Sequence, residues 1–180
     1  PPSMFGPPSM FSGVAQAATG VESIWCLSFD GSNDTVSIPG SLFPTSNSQP
    51  FSVAMWVKVS ASGSFPMLVC KGAVNSAWLL FLGFSNTQIY FRVGDVTFTA
   101  TGANSINTSS SVLTVGTWHH VAAVWTGTSG VIYVDGVSVA SSAATYRLTN
   151  WGSDAVYLAA GSSGNYFNGR EDDFRFFPRA

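Results

Sequence analysis

The chain has 180 residues, of which 46% are hydrophobic and only 9% charged, against about 25% charged in ordinary soluble domains. Seven Lys and Arg against nine Asp and Glu give a net charge of −2, so no basic field exists to neutralise phosphates, and nucleic acid and an anionic membrane surface are disfavoured as partners. This length suits one domain with a full core, and the densest apolar run, Ala77 to Phe84, is far shorter than the roughly 20 residues of a spanning helix.

Residues 1–22 read as an extended arm. The segment PPSMFG at Pro1–Gly6 returns as PPSMFSG at Pro7–Gly13, and paired prolines favour polyproline II while forbidding helix and central strand. Met4, Phe5, Met10 and Phe11 stand in this arm with no charge beside them. Apolar side chains on an extended segment gain by docking, so the arm is expected either to dock onto a neighbouring subunit or partner or to be a disordered leader. No Lys or Arg precedes an apolar stretch here, so the chain shows no secretory signal.

From residue 23 to 180 the signal is strand after strand, with Val, Ile, Phe, Tyr, Trp and Thr in short runs broken by Gly, Ser, Asn, Asp and Pro. Leu27 and Phe29 share a face, as do Val53, Met55 and Val57, and then Ile89, Phe91 and Val93. Asp135-Gly136 marks a two-residue hairpin between the runs at Val131–Tyr133 and Val137–Val139. No stretch carries a period of 3.6. About a dozen short strands predict an all-β, antiparallel two-sheet jelly-roll sandwich. Cys26 and Cys70 are too few for a disulfide scaffold and stand either as two thiols or as one bridge.

Five segments in order, LSFDGSNDTVSIP (27–39), FSVAMWV (51–57), GTWHHVAAV (116–124), IYVDGV (132–137) and FNGREDDFRFFPRA (167–180), resemble a laminin G-like domain of the concanavalin A-like lectin/glucanase superfamily. The resemblance implies two curved antiparallel sheets over residues 23–180 and, in many relatives, a calcium ion and a glycan or protein partner. Glu171 departs from the pattern, which is usually apolar at that position. Function does not follow from the fold, since jelly rolls host lectins, adhesins, glycanases and structural proteins.

Catalysis is poorly supported by the residues present. A glycosidase of the usual kind needs two carboxylates about 5 to 9.5 Å apart, yet the chain has two Glu, Glu22 and Glu171, and no charged residue between Asp95 and Asp135. His119 and His120 are neighbours on a predicted strand, so they point to opposite faces and are expected to be structural. The chain is therefore read as a non-enzyme.

Asp30 and Asp34 in an Asp-Gly-Ser-Asn-Asp turn, with Asp172 and Asp173 in the last strand, are the candidate ligands of one structural calcium ion, which takes six to eight oxygens. Asp172 shares a face with Phe174 and Phe176 in simple alternation, which would point it towards the core. The alternative there is an ion pair with Arg147, Arg170 or Arg175. Trp78, Tyr146, Trp151 and Tyr166, at strand ends or in loops, are the candidate sugar-stacking platform. Trp25, Trp56, Trp118 and Trp125 lie inside strands and are expected in the core. The reading favoured by sequence is a non-catalytic binding or assembly module on an extracellular or virion surface. It would be a multicopy structural component joined to its own kind or to a host particle through the arm. The alternative is a calcium-dependent lectin-like module for surface glycans.

Overall fold

The computed structural model describes residues 26–46, 48–60, 65–72, 78–82, 87–94, 105–143, 153–161 and 165–180. The arm residues Met4, Phe5, Met10 and Phe11, together with Trp25, Tyr146, Trp151 and Arg147, lie outside the described residues. Twelve strands are described: β1 (Leu27–Asp30), β2 (Val36–Ile38), β3 (Phe51–Val59), β4 (Met67–Lys71), β5 (Trp78–Leu82), β6 (Ile89–Val93), β7 (Ser105–Asn107), β8 (Trp118–Trp125), β9 (Ser129–Val134), β10 (Val137–Ala143), β11 (Val156–Leu158) and β12 (Asn168–Phe177). A single 3-10 turn, Gly40–Leu42, interrupts them. They form two six-stranded sheets, ordered β1-β12-β3-β8-β9-β10 and β2-β11-β4-β5-β6-β7, with every pairing antiparallel. The jelly-roll sandwich expected from the strand pattern is the observed architecture.

The core follows from alternation. Val53, Met55 and Val57 of β3, Val121, Ala123 and Trp125 of β8, and Ile132 of β9 point inward and meet Ile89, Phe91 and Val93 of β6 across the gap between the sheets. All are at most 1% exposed. Each such side chain gains roughly 1.5–3 kcal/mol from burial if it is large, which is why the alternation was a dependable guide. Phe51 stacks on Phe176 and meets Phe91 edge-on, linking three strands at one end of the core. The second sheet also carries Met67 and Cys70 in a smaller cluster with Phe65 and Tyr90. Cys26 and Cys70 are separate thiols.

The Asp135-Gly136 hairpin has positive φ at both residues, +50° and +80°, the backbone that a tight β-hairpin with matching twist requires. Asp135 does more than turn the chain. Its Oδ1 accepts the backbone N–H of His120 at 2.9 Å, and its Oδ2 lies 2.8 Å from His119 Nδ1. His119 Nε2 accepts the Thr114 N–H at 3.0 Å, so in the neutral ring the proton sits on Nδ1 and donates to Asp135. His119 is the satisfied structural histidine expected from the sequence. The Asp135→Ala variant removes both acceptors and leaves a Cβ-bearing residue without polar compensation at positive φ. It should destabilise the domain by about 2 kcal/mol, read by denaturant unfolding.

Candidate functional site

The inward-facing row of β3 dictates what the outer face of its sheet displays. Val53, Met55 and Val57 point in, so Ser52, Ala54, Trp56 and Lys58 point out, and Trp56 is 40% exposed. The registers then lay out rows across the sheet. Asp172, Trp56 and His120 form one row across β12, β3 and β8. On one side of it runs Ser28, Arg170, Lys58 and Trp118. On the other side runs Arg175, Ala54, Ala122 and Tyr133.

This arrangement makes a platform. His120 packs on Trp56 in T-shaped geometry, with centroids 5.4 Å apart, and fixes the indole plane. Ala54 and Ala122, both small, lie in the row beside the indole, and Tyr133 follows them on β9. Trp118 is half-buried, and its Nε1–H has no hydrogen-bond partner among the described residues. Arg175 Nε donates to Asp173 at 2.9 Å, which holds its guanidinium above the ordinary arginine value. Apolar ring faces rimmed by carboxylate, imidazole and ammonium groups suit a ligand with an apolar face and hydroxyl edges.

Trp56 and Trp118, expected in the core with Trp125, are both partly exposed. Only Trp125 is fully buried. The signal that would have found Trp56 was in the strand itself: once Val53, Met55 and Val57 share the core face, Trp56 between them cannot.

The residues expected to stack sugars are not brought together among the described residues. Tyr166 is half-buried just ahead of β12. Trp78 opens β5 in the other sheet, paired with Lys71 and Val93. Tyr146 and Trp151 lie outside the described residues.

The β1–β12 register sets Asp30 apart from Asp172, the last-strand residue expected to share a calcium ion with it. Asp30 is opposite Asn168, whereas Leu27 is opposite Glu171. Asp172 therefore lies about four residues, roughly 14 Å, along the strand from Asp30. Asp30 and Asp34 are used in their own loop: Asp30 Oδ1 accepts the Ser32 N–H at 2.7 Å, and Asp34 Oδ2 accepts the Asp30 N–H at 3.1 Å. Among the described residues no group of three or more His, Cys, Asp and Glu is arranged to hold a metal ion.

Nor does Asp172 share a face with Phe174 and Phe176. The β12–β3 register shifts between Asp172 and Arg175, and Asp173 has φ +51°, so a bulge reverses the alternation. Upstream of it Gly169 and Glu171 point inward; downstream Phe174 and Phe176 pack on the core. Glu171 therefore takes the position expected for Asp172. Its carboxyl is 1% exposed, neither oxygen has a hydrogen-bond partner among the described residues, and desolvation by burial raises its pKa well above the usual carboxylate value. It borders a cavity of about 160 Å³ with Leu27, Leu158, Asp172, Asp173 and Phe174. A raised carboxyl pKa is what a glycosidase acid needs, but the Glu171 oxygens are shielded from solvent and face away from the Trp56 platform, so they cannot touch a ligand there.

Residues 30–180 match the Laminin_G_3 family, described as the concanavalin A-like lectin/glucanases superfamily. The chain belongs to that superfamily. Among solved structures, domain 4 of AbnA, a GH43 extracellular arabinanase from Geobacillus stearothermophilus in complex with arabinotriose, is 19% identical with a TM-score of 0.61, over 84% of this chain and 69% of that one. A putative carbohydrate binding protein from Bacteroides ovatus is 17% identical with a TM-score of 0.63, over 86% of this chain and 45% of that one. Mouse laminin alpha1 domains LG4-5 are 15% identical with a TM-score of 0.58, over 82% and 40%. The chain thus spans less than half of the latter two. No curated protein matches it. At these identities the likeness establishes the fold that the sequence blocks implied. No helix among the described residues is long and apolar enough to cross a membrane.

Proposed function

We propose that the protein is a non-catalytic carbohydrate-binding module acting at an exterior surface, with the outer face of β12, β3 and β8 as its binding face. The observation that carries this reading is Trp56: a large aromatic side chain, 40% exposed, packed against His120 and flanked by the small residues Ala54 and Ala122 in the next row. Exposing an indole sacrifices burial that the core would have given, and stacking on a sugar ring recovers it. Binding of arabinotriose by the arabinanase domain supports the same chemistry on this fold.

Multicopy assembly through the arm, favoured by sequence, is the second reading. The exposed apolar side chains Leu42 and Val137, 70% and 64% exposed, support it, and mass measurement of the full chain against one beginning near residue 23 tests it. A particle or oligomer lost with the arm is its expected result.

For the first reading, tryptophan fluorescence titration with arabinotriose and a panel of neutral and acidic oligosaccharides should show binding. The Trp56→Ala variant should weaken it at least tenfold while the melting temperature stays within about 2 °C, because a half-exposed outer residue contributes little packing. Failure of every oligosaccharide to bind, or undiminished binding by Trp56→Ala, would overturn the proposal.

A further inference from the structure

We propose that the groove between the 3-10 turn and the end of β12 is a docking site for an uncharged polyproline II segment, and that its occupant is the chain's own Pro-Pro-Ser-Met-Phe arm. The inference stands apart from the Trp56 face. It gives the arm an intramolecular seat where the assembly reading gives it an intermolecular one.

The groove is preformed. It has a volume of about 320 Å³ and is lined by Leu42, Pro44, Pro50 and Pro178 together with Phe43 and Phe176. Phe43 meets Phe176 edge-on with centroids 4.7 Å apart, and Phe176 stacks on Phe51 at 6.0 Å. The Phe43 N–H donates to Gly40 O at 3.1 Å and closes the turn, while Ser52 Oγ donates to Arg179 O at 2.7 Å and fixes the chain after Pro178. A single exposed leucine is ordinary on a protein surface. Here Leu42, 70% exposed, stands with the exposed prolines Pro50 and Pro178 on one groove, and contiguous apolar surface marks an interaction site.

The lining selects the occupant. None of the described residues that form the groove is charged, and its polar members are Ser41 and Gln49. A charged ligand would lose hydration there without compensation. Aromatic-lined grooves accept polyproline II segments, whose preset backbone loses little entropy on docking and whose carbonyls have no internal partners. Ser41 and Gln49 carry side-chain donors suited to such carbonyls. Residues 1–21 contain no charged residue, and Pro-Pro-Ser-Met-Phe occurs there twice, at Pro1–Phe5 and Pro7–Phe11. Each copy joins a proline pair to Met and Phe, side chains that gain by leaving water.

The register puts the groove within reach. β1 runs antiparallel to β12, with Leu27 opposite Glu171 and Asp30 opposite Asn168. β1 therefore begins at the end of this pairing nearest Phe176, on the side where the groove lies. From Glu171 to Phe176 is roughly 17 Å along the strand, whereas the fifteen residues 12–26 can span up to about 50 Å. A link of that reach gives an effective concentration on the order of millimolar, so a modest affinity fills the groove within one molecule.

Fluorescence anisotropy with a labelled Pro-Pro-Ser-Met-Phe-Gly-Pro-Pro-Ser-Met-Phe peptide, measured on the whole 180-residue chain, tests the site. A variant carrying Met4→Ser, Phe5→Ser, Met10→Ser and Phe11→Ser should bind the peptide at least about tenfold more tightly than the wild type, whose own arm competes for the groove. Adding Leu42→Lys to that variant should weaken binding by about tenfold or more, with the melting temperature unchanged because Leu42 is exposed. The wild type should have the mass of one chain in solution. Equal peptide binding by the wild type and the arm variant, or binding indifferent to Leu42→Lys, would overturn the proposal. So would an oligomer that falls to single chains in the arm variant, since the arm would then sit on a neighbouring copy. The sugar titration at Trp56 is untouched by any of these outcomes, so the two readings fail separately.

Discussion

Replacing Glu171 by leucine should raise the stability of the domain at neutral pH by about 2–4 kcal/mol. The residue lies in β12 on the core side of the bulge, 1% exposed, with neither carboxyl oxygen hydrogen-bonded among the described residues. Folding takes this group from water, where it is ionised and hydrogen-bonded, into a site lined by Leu27, Leu158 and Phe174. Part of the cost is the missing hydrogen bonds, about 1–3 kcal/mol, and part is the proton that must be bound to avoid burying a charge. Leucine has neither cost and fills the same volume, and thermal unfolding at neutral pH measures the gain. No gain, or a loss, would show that the carboxyl is satisfied in solution.

The pH dependence separates the two parts. Burial raises the folded-state pKa of Glu171 well above the ordinary carboxylate value of 4.5. Below that ordinary value the folded and unfolded chains both hold the proton, and the full stability is present. As pH rises above it the unfolded chain releases its proton while the folded chain retains it, so stability falls by about 1.4 kcal/mol per pH unit until the folded pKa is reached. The Glu171→Gln variant, neutral at every pH, should flatten that slope through the mildly acidic range. Lys71 shifts the opposite way: its pKa is lowered from 10.5, mainly by desolvation. Asp172 and Asp173 border the same cavity and are the charges to hold constant in the comparison.

Glu171 also shows where the sequence was legible and where it was not. The usually apolar pattern at its position marked it as a departure, and the structure makes that departure a buried acid. Its inward direction could not be read by alternation from Phe174 and Phe176, because the bulge at Asp172–Asp173 adds chain to β12 without adding a partner on β3. A period-two pattern has no memory across such an insertion. In β3 and β6, where no bulge intervenes, hydrophobic alternation located the core directly. Trp56 departs from expectation for a different reason: its hydrophobicity favours the core, but the parity of its strand sends it outward. The row of Asp172, Trp56 and His120 was beyond reach, since which residue of β12 faces which residue of β3 is a matter of long-range register, set by the packing of both sheets.

Long-range register also underlies the second large effect, at Gly40. This residue opens the 3-10 turn after β2, where the chain runs against the loop ahead of β11. A Cβ built on Gly40 overlaps the carbonyl oxygens of Asp154 and Ser153. Neither is the yielding tip of a side chain; both belong to backbone. The closeness has a cause: Lys71 Nζ, completely buried at the end of β4, donates to Gly40 O at 3.2 Å and to Asp154 O at 2.8 Å. One ammonium clamps two loops, and only a residue without a side chain lets both carbonyls approach it. The buried lysine is tolerable because those carbonyls replace part of its hydration and Asp154 adds a favourable charge. The Gly40→Ala variant must push the loops apart, which strains the backbone and lengthens the bonds to a buried cation together. The expected cost is about 2–4 kcal/mol, a fall of roughly 5–15 °C in melting temperature for a chain of this size. A matching Lys71→Met change offers the decisive comparison: with the clamp gone, the loops are free to separate, so Gly40→Ala should cost markedly less in that background than in the wild type. Equal costs in both backgrounds would mean that the close approach is held by something other than the lysine.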